Sequence, residues 1–207
     1  MAQTTAERIK SMIGKELVKN NSRYKTSSEI KNLCILSLID SYNRVKNMPT
    51  VASFNENAMR DEFIIDMQNN CSLIKTELEN ATIRIIPESW DPAKRRRADI
   101  VFFIAGIGDF TFECKKLSSD EDRYLNDGLI RFISLAYAER ESEAGMIGFT
   151  LNAGIPQKLK NKIEQFHCSK FIDKPVLDFP DSYKSIHTCE NSKEIVIFHL
   201  FFYFSKN

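Results

Sequence analysis

Three charged residues stand inside two apolar segments near the middle of the chain. Asp99 lies within ADIVFF, and Glu113 and Lys115 lie within FTFECKK, with a Gly-Ile-Gly sequence between the two segments. A buried charged side chain needs an ion-pair partner or a metal ion. Two carboxylates can hold Mg²⁺ or Mn²⁺, which prefer oxygen ligands, and a nearby lysine can orient or deprotonate a water. These residue types therefore indicate metal-assisted chemistry on phosphate groups.

The register of the two segments decides whether the three side chains meet. A three-residue Gly-Ile-Gly turn centred on Ile107 predicts a β-hairpin in which Asp99 faces Lys115 and position 101 faces Glu113. Because side chains alternate along a strand, this register places all three charges on one face of the sheet. An exposed cluster of cross-strand ion pairs has the same spacing, so spacing alone leaves both interpretations open.

The elements that must position these residues form a mixed α/β pattern. The sequence predicts a helix from Asn55, a strand over 82–89 that ends at Pro87, the hairpin, a long helix over 118–141 and a strand over 144–151. A helix from Pro156, a loop over 168–183 and a C-terminal hairpin follow. This order predicts a mixed β-sheet with helices on its faces.

Asp99, followed by the ECK sequence at 113–115 on a hairpin in this α-β-β-β-α-β order, resembles the PD-(D/E)xK, or restriction-endonuclease-like, nuclease superfamily. The resemblance covers about residues 55–151. One departure is Ala98, which stands where the superfamily motif often has proline. The resemblance implies a restriction-endonuclease-like core within an α/β fold.

The same resemblance implies a function and a site. It implies a nuclease that depends on Mg²⁺ or Mn²⁺ and hydrolyses phosphodiester bonds, with DNA favoured over RNA as the substrate. Restriction, defence, mobile-element and repair contexts are all compatible with it. Asp99 and Glu113 would be metal ligands, and Lys115 would position or activate the attacking water.

Members of this superfamily often add an acidic residue from the helix before the first strand, and this sequence offers Glu62 and Glu56. Glu62 lies near the stripe formed by Phe54, Ala58 and Ile65 on a helical wheel, whereas Glu56 is placed to offset the helix dipole. We therefore favour Glu62 as the additional catalytic and metal-binding carboxylate and keep Glu56 as the alternative.

Several positively charged residues lie near the proposed site residues in the sequence. The run Lys94, Arg95, Arg96 and Arg97 immediately precedes the motif, and Arg131 lies on the helix that follows the hairpin. These five residues are the predicted nucleic-acid contacts, and they would position phosphates without reading base sequence. A solvated loop and a surface arginine are the alternative interpretations.

The composition limits the class of protein. The chain has 207 residues, 43% of them hydrophobic, and a net charge of +1, so any nucleic-acid contact must be local. No apolar run reaches the roughly 20 residues that span a bilayer, and MAQTTAERIK lacks the apolar part of a secretory signal. The five scattered cysteines favour reduced thiols. We expect a cytoplasmic protein without a membrane partner.

The N-terminal region predicts a second possibility. Residues 1–50 are predicted as a helical extension, with helices over about 4–20 and 27–46, and residues 51–207 as the nuclease domain. A partner protein, or a second copy in a homodimer, could dock on these helices. The alternative function is therefore a nuclease-fold subunit that binds or assembles a larger DNA-processing complex.

Overall fold

The computed structural model describes residues 26–91, 96–117, 122–136, 141–152 and 154–204, and for 88–91, 96 and 97 it describes the backbone alone. The predicted helix over about 4–20 lies outside these ranges. The helices are α1 (Ser27–Val45), α2 (Glu56–Asn69), α3 (Lys75–Glu79), a π-helical segment (Tyr124–Leu129) that continues as α4 (Ile130–Ile133), and α5 (Ile155–Gln165). The strands are β1 (Ile83–Asp91), β2 (Arg96–Ile104), β3 (Gly108–Leu117), β4 (Glu143–Thr150), β5 (Cys168–Ile172), β6 (Ser182–Thr188) and β7 (Glu194–Tyr203).

The strands form one mixed sheet of seven in the order β1-β2-β3-β4-β7-β6-β5. The pairs β1–β2 and β2–β3 are antiparallel, β3–β4 and β4–β7 are parallel, and β7–β6 and β6–β5 are antiparallel. A helical segment connects the adjacent parallel strands β3 and β4, as a crossover connection requires. The predicted α/β class, a mixed sheet flanked by helices, is confirmed.

Helices cover both faces of the sheet, and the sheet separates two hydrophobic cores. The first core packs α1 and α2 against residues such as Phe102, Phe112 and Phe202. The second core packs the π-helical segment, α4 and α5 against the opposite face, with Met146 and Phe201 among its sheet residues. Among the described helices, none combines the length and the apolar composition that crossing a membrane requires.

Helix α1 belongs to the first core. Its predicted bounds agree with the observed ones, and its N-cap is Thr26, because Thr26 and Glu29 form a reciprocal capping box. The Tyr42 hydroxyl donates to the carbonyl of Tyr203 at 2.8 Å, which ties the helix to the last strand. Helix α1 and elements after residue 50 therefore contribute to the same core.

The β2–β3 hairpin has a different register from the predicted one. Its turn residues are Ala105, Gly106 and Ile107, because Ile104 pairs with Gly108 and the Ile107 N–H donates to the Ile104 carbonyl. Both glycines have positive φ angles, 77° and 117°, which other residues rarely adopt. Position 101 therefore pairs with Thr111 rather than with Glu113. The shift is two residues, an even number, so it leaves the side chains on their predicted faces.

Three other sequence predictions need correction. Strand β1 continues past Pro87 to Asp91, because β1 is an edge strand and a proline can lack its ladder N–H there. The helix after the hairpin ends at Ile133, and Leu135 then adopts a φ of 57°, which a helix cannot continue through. Residues 168–172 form a short edge strand, β5, rather than a loop, although their exposure gives no alternating apolar pattern.

Candidate active site

The candidate site lies where strands β2 and β3 separate. Their last pair is Ile100 with Phe112, so the same register brings Asp99 opposite Glu113 one residue further. From this point β3 pairs with β4 on its other side. The Asp99 carboxylate accepts the N–H of Cys114 at 2.8 Å, and it thereby replaces the β2 carbonyl that a continuing ladder would supply.

Glu113 is the most buried charge of the site, with 1% of its side chain exposed. Its Oε1 atom accepts from the Lys115 ammonium at 2.5 Å and from the Arg131 guanidinium at 2.6 Å. Its Oε2 atom is buried and has no hydrogen-bond partner among the described residues. An unpaired buried carboxylate oxygen is costly, and a cation bound beside this atom would offset that cost.

Burial is the main cause that raises the pKa of Glu113 to about 8, and the negative charge of Asp99 adds to it. The positive charges of Lys115 and Arg131 act in the opposite direction. A carboxyl group in this setting gains from a further positive charge, because such a charge favours its ionised form. The electrostatics around Glu113 therefore favour the binding of a cation beside Oε2.

Lys115 is enclosed, with 5% of its side chain exposed. Besides Glu113, its ammonium donates to the Cys114 carbonyl at 3.1 Å and lies 3.8 Å from the Glu56 carboxylate. The π-helical segment passes close to it at Gly128, where a Cβ atom would lie 3.6 Å from Lys115 Cε and 2.5 Å from the Met146 methyl group. The absence of a side chain at Gly128 thus lets the segment pack on the site.

Glu56, and not Glu62, is the helix carboxylate at the site. Glu56 accepts the N–H of Lys116 at 2.7 Å, in addition to its contact with Lys115. It also lies 3.9 Å from the Arg123 guanidinium. No described hydrogen bond or ion pair joins Glu62 to these residues. Six positions separate the two glutamates, so at 100° per residue they point in different directions from α2.

Two residues of the site were missed in the sequence. Arg60 is buried one turn after Glu56, and its guanidinium lies 3.4 Å from the Asp99 carboxylate. Lys116 donates to the carbonyls of Phe54 and Ala52 just before α2, so it joins β3 to the start of the helix. The i, i+4 spacing of Glu56 and Arg60 was a usable signal, because it places both on one helix face.

The predicted nucleic-acid contacts are only partly described. Arg131 lies at the site, but its guanidinium binds Glu113, with 39% of its side chain exposed. The backbones of Arg96 and Arg97 belong to β2, opposite β1. Lys94 and Arg95 lie outside the described residues. The structure therefore brings together Asp99, Glu113, Lys115 and Arg131, and it leaves the role of the basic run a prediction.

Cys114 stands between two site residues but faces the first core. Burial, and then the charge of Asp99, raises its pKa well above the ordinary value of a thiol. The nucleophile of cysteine chemistry is the thiolate, which this environment disfavours. All five cysteines are free thiols, as their scattered positions predicted. The site is therefore an oxygen-ligand site rather than a cysteine site.

The histidines form a separate buried hydrogen-bond chain. Ser185 Oγ lies 2.7 Å from Nε2 of both His187 and His199. His199 Nδ1 contacts the Tyr124 hydroxyl at 2.9 Å, and His187 Nδ1 contacts the His167 carbonyl at 3.0 Å. Across the hairpin, His199 pairs with Tyr183 and His187 pairs with Ile195. Serine, tyrosine and a carbonyl satisfy their ring nitrogens, which accounts for them without a zinc ion.

The oxygen atoms of the site fit a hard divalent cation. Among the described residues, no three His, Cys, Asp or Glu side chains are grouped as a metal site would require. Mg²⁺ needs fewer protein ligands, because it commonly binds through one or two carboxylates and keeps several waters. Asp99 and Glu113, with the unpartnered Oε2 atom, supply such a pair.

Comparison of the chain with family models, curated proteins and solved structures finds no match. The geometry of the site is therefore the evidence on which a function can be argued.

Proposed function

We propose that this chain is a divalent-metal-dependent nuclease with a restriction-endonuclease-like core, and that it hydrolyses phosphodiester bonds in DNA. One observation carries the proposal. A buried glutamate, Glu113, presents an unpartnered carboxylate oxygen beside Asp99 and Lys115, at the point where two strands of the sheet separate. Two carboxylates and a lysine placed together suit the charge distribution of a metal-bound phosphate.

The order of elements supports the restriction-endonuclease-like assignment. Helix α2 and the short helix α3 are followed by the antiparallel strands β1, β2 and β3, by the short crossover helix, and by β4 parallel to β3. This is the α-β-β-β-α-β order that the sequence motif implies. The motif residues also lie where that order would place them, on β2 and β3.

Each residue has a distinct role in the proposed reaction. Asp99 and Glu113 would hold Mg²⁺ or Mn²⁺, with Glu56 as the nearby helix carboxylate. The bound metal would lower the pKa of a water and offset the charge that develops on phosphorus. Lys115 would orient and activate that water by donating an N–H to its oxygen, because its ammonium is fixed by Glu113 and the Cys114 carbonyl.

One observation favours the alternative of a binding or assembly subunit. Three cations, Lys115, Arg131 and Arg60, contact the two carboxylates and offset their charge. A site neutralised in this way can be stable without a metal. A DNA cleavage assay separates the two functions, because a subunit of this kind would bind DNA and leave it intact.

The test is a cleavage assay on the purified chain with Mg²⁺ or Mn²⁺ and plasmid, linear duplex and single-stranded DNA. We expect cleavage by the wild type and a loss of at least about 100-fold in Glu113→Gln and in Lys115→Ala, since the first removes a proposed metal ligand and the second removes the group that acts on the attacking water. The matched control is Glu79→Gln, which removes an exposed glutamate of α3 that lies 3.9 Å from the Lys75 ammonium.

The control should cleave within about threefold of the wild type, because an exposed ion pair contributes little to the fold. Cleavage that survives Glu113→Gln, or that persists in a chelator, would contradict the nuclease assignment. Binding of DNA without cleavage would favour the assembly subunit instead.

A further inference from the structure

The charge on Glu113 is shared between two cations that differ in their exposure to solvent. Both bind the same oxygen, Oε1, with Lys115 at 2.5 Å and Arg131 at 2.6 Å. The other oxygen, Oε2, is buried without a described partner. Any cation that binds Oε2 would lie close to both positive groups, and at this separation like charges repel strongly.

Lys115 cannot move away without losing its other contacts. Its side chain is enclosed, it donates to the Cys114 carbonyl, and Gly128 of the π-helical segment packs over its aliphatic part. A buried ammonium released from these partners would remain in an apolar environment.

Arg131 is more exposed to solvent than Lys115. Its side chain is 39% exposed, and it extends to Glu113 from α4, the short helix after the π-helical segment. A guanidinium in this position can turn toward water and keep its solvation. Of the two cations on Glu113, Arg131 is therefore the one that can leave.

We propose that Arg131 neutralises Glu113 while no divalent cation is bound, and that it must leave Glu113 for the cation to bind. Arg131 is thus a positioning residue that lowers the affinity of the metal site. The inference rests on the proposed function, because it concerns the divalent cation of that function. A displaced guanidinium would then be available for a phosphate, which it binds in a bidentate manner.

The test measures Mn²⁺ binding by titration calorimetry in the absence of DNA. We expect Arg131→Gln to bind Mn²⁺ about tenfold more tightly than the wild type, since a competing positive charge is removed. Arg131→Lys keeps the charge and should stay within about threefold of the wild type. The matched control is Arg84→Gln, an exposed arginine on β1 opposite Phe103, which should bind within about twofold of the wild type because exposed charges are screened.

Each result has one meaning. Unchanged or weaker Mn²⁺ binding by Arg131→Gln, beside measurable binding by the wild type, would overturn this inference and leave the proposed metal site standing. Absence of Mn²⁺ binding by the wild type would overturn the proposed function and the inference with it. Tighter binding by Arg131→Gln that Arg84→Gln reproduces would also overturn the inference, because net charge would then be its cause.

A second measurement uses the wild type alone, so that it holds even if Arg131→Gln does not fold. The side-chain Nε–H signals of the arginines are followed by nuclear magnetic resonance as Mg²⁺ is added. The Arg131 signal should shift as its guanidinium leaves Glu113, whereas that of Arg44, which binds Asp66 far along the chain at 2.7 Å, should not. An Arg131 signal that stays fixed at saturating Mg²⁺ would overturn the inference.

Discussion

At the scale of single residues, the carboxylates of the site also complete the backbone structure. Asp99 accepts the N–H of Cys114, and Glu56 accepts the N–H of Lys116. Both N–H groups belong to the part of β3 that lies beyond its last pair with β2. Glu113 and Lys115 form a buried ion pair beside them. The residues that would carry the chemistry are therefore tied to the stability of the strands that hold them.

The buried ion pair gives a prediction for stability without metal. In a chelator, Glu113→Gln and Lys115→Met should each lower the free energy of unfolding by ~3 kcal/mol, because each leaves a buried charge without its partner. The double variant should lose less than the sum, and the difference is the interaction energy of the pair. Urea unfolding of the four proteins measures this cycle.

The control for this cycle is the exposed pair of Lys75 and Glu79. Removing either partner should cost less than about 1 kcal/mol, because water screens the charges. Additive losses at Glu113 and Lys115 would show that the two charges do not stabilise each other and would contradict the described pairing.

At the scale of elements, a hydrogen-bond chain with one direction of donation joins the π-helical segment to β7, to β6 and to the residue before β5. The His167 carbonyl can only accept, so His187 donates from Nδ1 and accepts at Nε2 from the Ser185 hydroxyl. Ser185 then accepts from His199 Nε2–H, and His199 Nδ1 accepts from Tyr124. One direction of donation runs through the whole chain, and it requires both histidines to be neutral.

This hydrogen-bond chain predicts that stability depends on pH. Burial lowers the pKa of His199 well below its usual value and also lowers that of His187. The unfolded state then binds more protons below about pH 6.5, so stability is full above that pH and falls below it by up to ~1.4 kcal/mol per pH unit for each histidine. Burial raises the pKa of Tyr124 and Tyr183, so both stay neutral over this range.

Urea unfolding between pH 5 and 8 measures the slope, and His199→Gln should remove about half of it. The control is His167→Gln, because the chain uses only the carbonyl of that residue. A slope unchanged by His199→Gln would show that His199 is not kept neutral by the fold.

At the scale of the whole molecule, the sheet carries a hydrophobic core on each face. The site lies where β2 and β3 separate, between the two helix layers. Glu56 and Arg60 reach the site from α2 on one face. Gly128 and Arg131 reach it from the crossover segment on the other. Anything that loosens either layer should therefore disturb the site.

The place of α1 in the first core can be tested with two leucines of the same helix. Leu38 is fully buried, whereas Leu36 is 38% exposed. Leu38→Ala should lower the free energy of unfolding by ~3 kcal/mol, because it leaves a cavity. Leu36→Ala should change it by less than ~1 kcal/mol. Equal small losses would contradict the place of α1 in the first core.

The sequence predicted most of the elements because their signals are local. The Asn55 cap of α2, the Gly-Ile-Gly turn and the C-terminal hairpin follow from residue types alone. The exact register of the turn does not follow from residue types, because two positive-φ glycines permit more than one turn. The choice between Glu56 and Glu62 depends on how α2 docks against β3, and this tertiary contact leaves no periodic signal in the sequence.

The most direct measurement of the central claim is a crystal of the chain soaked in Mn²⁺ and examined by anomalous diffraction. The account predicts a peak within bonding distance of carboxylate oxygens of both Asp99 and Glu113, with Oε2 of Glu113 as one ligand and Arg131 turned away from it. The contradicting result is the absence of a peak at saturating Mn²⁺, with Glu113 still bound only to Lys115 and Arg131.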